Sequence, residues 1–157
     1  MLRILIVLAL ITAGCSSRDT SKKIPSMKVH PLRLKPGDDL KKSINNYVMQ
    51  NHIVAGWIVT CAGSLTDYNI RFANEPHGAT GRGHFEIVSL TGTLSTNGSH
   101  IHISIADSTG KTIGGHLLDS CFVYTTAEII IQESADHVFT REKDGSTPWE
   151  ELQIKPR

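Results

Sequence analysis

Hydrophobic and polar positions along the chain change their rhythm once. Leu40, Ile44, Tyr47 and Val48 follow the i, i+4, i+7, i+8 spacing of one buried helical face. Pro36-Gly37 breaks the chain ahead of them, and Asp38 or Asp39 can cap the helix DDLKKSINNYVMQNH. Beyond it the pattern is that of strands. Residues 54–62 (VAGWIVTCA) are nearly continuously apolar, as in a central strand, and residues 67–72 (DYNIRF) alternate. Residues 74–82 read as a Gly- and Pro-containing loop. Strands are expected at 84–94, 99–107, 113–118 and 121–132, with short ones at 138–141 and 151–154. A further short strand at 29–34 precedes the helix, with Pro31 marking an edge or a strand start. Thr96-Asn97-Gly98 and Ser108-Thr109-Gly110-Lys111 are turns, and Gly92 marks a bulge or a close approach. One principal helix followed by tightly connected strands predicts a compact, single-domain α+β fold with a mainly antiparallel sheet.

Within this pattern, residues 99–107 carry the most chemistry. Ile101, Ile103 and Ile105 share one face and form a core; His100 and His102 share the other, roughly 6–7 Å apart along the strand. His116 follows a hairpin-length turn, so its strand can bring a third imidazole alongside. Gly114-Gly115 lets the backbone come close there. Three imidazoles with an open fourth position are the ligand set of catalytic zinc sites. The expected cofactor is a divalent metal of the zinc, copper or iron kind; calcium prefers oxygen. A solvated pair of sheet-face histidines is the plainer alternative. His84, Glu86 and Asp107 are candidates to support the ligands from behind. Asp107 also stands where a residue would cap a turn, and Glu128 lies among apolar residues with its role open. No G-x-S-x-G elbow, P-loop or G-x-G-x-x-G follows a strand, so no nucleophile or nucleotide-binding constellation is present.

Charge narrows the partners. Sixteen Lys+Arg against fifteen Asp+Glu give a net charge of +1, without the basic footprint expected for nucleic acid.

The N-terminus reads as a targeting segment. Arg3 precedes the apolar run ILIVLALI, which is too short to span a bilayer, and Thr12-Ala13-Gly14 leads into Cys15. This resembles a bacterial lipobox, with lipidation of Cys15; an ordinary signal peptide cleaved near Gly14 is the alternative. The expected organisation is a lipoprotein-type signal peptide at 1–14, a lipidated tether at 15–26 and a domain at 27–157, held at the membrane in the cell envelope. Cys61 and Cys121 remain; both lie in apolar strand-like runs, and a bridge or two buried thiols are both open.

The order of motifs resembles the PPC domain (plants and prokaryotes conserved), also described as PD1-like DNA-binding or domain of unknown function 296. The likeness runs from Leu32-Arg33-Leu34 and Pro36-Gly37-Asp38-Asp39-Leu40 through 85–94 (FEIVSLTGTL). It continues with His100-x-His102-x-Ser104-x-Ala106-Asp107, Gly114-Gly115-His116-Leu117, Thr125-Thr126-Ala127-Glu128-Ile129, Phe139-Thr140-Arg141-Glu142 and Glu150-Glu151-Leu152. The resemblance implies an α+β fold assembled as a homotrimer, with a metal site at His100, His102 and His116. In plant relatives the domain follows AT-hook segments on DNA. This chain has no Arg-Gly-Arg-Pro hook, and Gly81-Arg82-Gly83 lacks its flanking residues. Three functions follow as expectations: a lipid-anchored trimeric metal- or ligand-binding module, a metal-dependent hydrolase or lyase, or a DNA-associated protein. Nucleic acid is the least expected partner.

Overall fold

The computed structural model describes residues 27–157. The expected signal segment, Cys15 and tether lie outside the described residues. Among the described residues, eight strands and one helix follow the order β1 (Met27–Leu34), α1 (Leu40–Gln50), β2 (Ala55–Arg71), β3 (Ala79–Ser95), β4 (Gly98–Ala106), β5 (Thr112–Leu117), β6 (Phe122–Ser134), β7 (His137–Glu142) and β8 (Glu151–Pro156).

The helix forms where the apolar spacing placed it. Asp39 is its N-cap, accepting from the Lys42 N–H at 3.1 Å, and Leu40, Ile44 and Val48 are its buried face. Tyr47 packs at the margin of the same core. The two runs read as separate strands, 54–62 and 67–72, are one long strand. Register shifts near Thr60, Ser64 and Thr66 kink β2 without ending it. The strand after the loop starts earlier than expected, at Ala79, because residues 79–82 pair with Asp67–Ile70.

Six strands form one antiparallel sheet in the order β1-β6-β2-β3-β4-β5, and β7 and β8 form a separate hairpin. β5 also pairs with β2 at Ile70 and Arg71, so β2, β3, β4 and β5 close into a small curled unit. Its interior is lined by Ile70, Leu90, Leu94, Ile101, Ile103, Ile105 and Leu117, all nearly inaccessible. The isoleucines of β4 therefore face the core as their alternation required. Close approach of the strands needs residues without a side chain. A Cβ on Gly92 would lie 2.2 Å from the His100 carbonyl oxygen.

Cys61 and Cys121 are both buried and free. Burial, reinforced by the Glu128 charge, pushes the Cys61 thiol up to about 12; burial chiefly pushes Cys121 up to about 11. Glu128 is exposed, on the sheet face opposite the core, directly across from Arg33.

Candidate metal centre

Antiparallel register assembles the histidines. His102 on β4 pairs directly with His116 on β5, and His116 pairs in turn with Arg71 on β2. Directly paired residues project on the same face, so Arg71, His116 and His102 form a cross-strand row. His100, two positions along β4, joins that row. The His100 and His102 ring centroids are 4.9 Å apart, His100 and His116 4.8 Å, and His102 and His116 4.3 Å. Nε2 of His100 and Nε2 of His102 come within 3.0 Å. One ligand nitrogen from each of the three rings lies within 4.8 Å of the others.

The β7–β8 hairpin builds the surrounding wall. The Asn97 side chain in the β3–β4 turn clips β7: Nδ2 donates to the Arg141 carbonyl at 2.8 Å, and Oδ1 accepts from the Arg141 N–H at 2.8 Å. This holds the Arg141 guanidinium over His100, with Nη2 3.4 Å from Nδ1 of the ring. Nη2 also donates to the Glu150 carbonyl at 2.8 Å. The Arg71 guanidinium lies over Trp149, with Cζ 5.8 Å from the ring centroid.

This environment favours the neutral form of His100 and of His116. Burial, then the Arg71 charge and the neighbouring rings, push His116 down to about 4. Burial, then Arg141 and His102, also lower His100, against a smaller opposite pull from Glu151. Neutral imidazole is the metal-ligating form, so these two rings could serve as ligands at neutral pH. Tetrahedral zinc with Zn–N of about 2.0–2.1 Å separates its ligand nitrogens by about 3.4 Å. The observed 3.0 Å pair and 4.8 Å limit bracket that value, so the three rings could hold such an ion.

The three histidines singled out in the sequence are thus brought together. The proposed supporting residues are not brought to them. His84 stacks on Tyr124 with centroids 4.2 Å apart, and Glu86 pairs with Ala106 at the other end of β4. Asp107 accepts from the Thr109 hydroxyl and the backbone N–H groups of Thr109 and Lys111, which hold its carboxyl below the usual carboxylate range. It caps its own turn. Sequence reasoning missed Arg71 and Trp149, and gave Arg141 and Glu151 no role at the site. Only the β2–β5 pairing and the docking of the β7–β8 hairpin bring these residues here.

A model of the Plants and Prokaryotes Conserved (PCC) domain matches residues 21–135. The chain belongs to this family. A hypothetical protein from Salmonella enterica is 36% identical, with a TM-score of 0.83 over 85% of this chain and 97% of that one. A metal-containing protein from Archaeoglobus fulgidus shares the fold at 23% identity, with a TM-score of 0.69 over 83% of this chain and 99% of that one. A protein from Synechococcus sp. named Bifunctional protein GlmU is 39% identical over 131 residues, 83% of this chain. The PCC chain spans only about a fifth of the length of such curated relatives, 21%.

Proposed function

We propose that this PCC-domain protein is an exported, lipid-anchored homotrimeric module that binds one divalent metal per chain, zinc fitting best, through His100, His102 and His116. The observation that carries the metal reading is the convergence of three imidazole nitrogens, from the directly paired His102 and His116 and from His100 two positions along β4. Neutral nitrogen donors without a carboxylate among them suit a borderline metal rather than calcium or magnesium. The metal content of the Archaeoglobus relative is in keeping with this. A bound ion would supply a Lewis-acidic centre, which the chain's own histidines hold and orient.

Support for self-association comes from the outer sheet face. Val29, Val59, Val88, Phe122 and Tyr124 are exposed there. A groove of about 520 Å³ lies between β1, β6 and β2, lined mainly by Pro31, Arg33, Thr60, Ala62, Glu128 and Ile130. Exposed apolar area of this kind suits a closed cyclic assembly. The membrane attachment rests on the apolar run before Cys15. The balanced charge argues for a non-nucleic-acid ligand. A hydrolase or lyase would further need a general base. Glu86 and Asp107 lie away from the cluster, which leaves Glu151 as the carboxylate whose charge reaches His100.

The test is metal analysis of the untagged protein, as purified and after dialysis against zinc. About one ion per chain is expected. A protein that stays metal-free in excess zinc refutes the site. Sedimentation equilibrium checks the trimer independently, and a monomer at micromolar concentration refutes it.

A further inference from the structure

Charges around the histidine cluster are unbalanced. Three cationic side chains stand around it: Arg71 directly opposite His116, Arg141 with Nη2 3.4 Å from Nδ1 of His100, and Lys41, whose charge reaches His116. The Glu151 carboxylate opposes them at His100. Lys41 has its own partner, Asp119, at 3.6 Å. Neither Arg71 nor Arg141 has a carboxylate partner among the described residues, although both are half-buried. A divalent cation on three neutral imidazoles would add to this excess of positive charge.

Both guanidiniums are also held in place. Arg71 lies over the Trp149 ring and its Nη1 donates to the Glu75 carbonyl at 3.5 Å, while the Glu150 carbonyl and the Asn97 clip fix Arg141. Among the described residues, no hydrogen bond engages Nε or Nη1 of Arg141. Planar, pre-positioned N–H donors of this type match the geometry of carboxylate and phosphate oxygens.

The tautomer of His100 points the same way. A guanidinium can only donate, so Nδ1 of His100 accepts from Arg141, and the neutral ring carries its proton on Nε2, facing His102 at 3.0 Å. Metal coordination through Nε2 requires that proton to sit on Nδ1 instead. Arg141 then faces a donor, and its Nη2 hydrogen needs another acceptor.

Building on the metal reading, we propose that Arg71 and Arg141 form an oxyanion subsite beside the three-histidine centre, so that the ligand there is a small carboxylate- or phosphate-bearing molecule. Arg71 stands directly opposite His116 and Arg141 lies over His100, and the two guanidiniums meet the consecutive residues Trp149 and Glu150.

Cobalt(II)-substituted protein tests this through its visible absorption spectrum. Titration with acetate, and separately with inorganic phosphate, is expected to shift the spectrum saturably. The more tightly bound probe identifies the oxyanion class. Arg141→Gln and Arg71→Gln should each weaken the response about tenfold or more, the effect of losing one charge-assisted hydrogen bond. Arg141→Lys, which keeps the charge but not the fork, should fall between. Cobalt uptake and far-ultraviolet circular dichroism of each variant show that the fold persists. A protein that takes up no cobalt overturns the metal reading and the subsite together. A cobalt protein whose spectrum ignores both anions, or responds equally in the glutamine variants, overturns the subsite alone.

Discussion

Arg71 and His116 face each other directly across the junction of β2 and β5, and Gly115 is what allows the junction to close. A Cβ at position 115 would lie 2.4 Å from the Arg71 carbonyl oxygen, far inside contact distance. Gly115→Ala must push β5 away from β2 and carry His116 with it. The expected cost is about 1–3 kcal/mol, as for other overpacked sites, together with a loss of metal retention. Gly110→Ala is the control: with φ at +82° and open space around it, only local turn strain should follow, and metal content should stay unchanged. Urea denaturation with metal analysis checks both, and a Gly115→Ala protein with native stability and full metal occupancy contradicts the argument.

Much of this arrangement was legible in the sequence, and the illegible part has a physical cause. The period-2 alternation of 99–107 assigned the isoleucines to the core and the histidines to the opposite face, and the structure agrees. The turn between β4 and β5 fixed the partnership of His102 and His116, because neighbouring strands joined by a tight turn pair locally. Arg71 escaped notice because β2 and β5 are not consecutive, and no local pattern encodes a pairing of only two residues. The β7–β8 hairpin was readable as two strands, but its docking depends on Asn97, which a turn signal alone explains. The break drawn within β2 was an error of another kind: polar residues at kinks in a long strand look like a loop.

Acid should destabilise the metal-free protein through His116. Its pKa lies near 4 in the fold against 6.5 ordinarily. A histidine with a depressed folded-state pKa binds fewer protons folded than unfolded, so stability is fully present above pH 6.5 and is lost as pH falls toward 4. His100 is shifted in the same direction. The melting temperature measured in chelator should therefore drop across that window. In His116→Asn the drop should be shallower; an equally steep profile would assign the acid sensitivity elsewhere.

Function and stability should separate cleanly on β4. His102 is exposed, so His102→Ala removes little packing and should change stability by no more than about 0.5 kcal/mol. It nevertheless takes away one of three ligand nitrogens and should abolish metal retention. Its neighbour Ile103 is 2% exposed, and Ile103→Ala should cost about 2–5 kcal/mol through the cavity it leaves. Thermal unfolding in chelator, paired with metal content, distinguishes the two. A His102→Ala chain that keeps full metal occupancy would remove the three-histidine centre from consideration.

Cys61 and Cys121 should behave as core residues, not as a redox pair. Each thiol is buried and free, with its pKa pushed up to about 12 and about 11 respectively. The thiolate is the reactive form, so at pH 8 neither side chain offers an appreciable nucleophile. Cys121 is held further by its contacts with Asn69, whose backbone N–H donates to Sγ at 3.2 Å. Alkylation of the native protein followed by peptide mapping should leave both positions unmodified, and unfolding in guanidinium without reductant should expose both to labelling. A bridge between them would leave both unlabelled in guanidinium until reductant was added, and rapid native labelling of either would show that the fold opens around it.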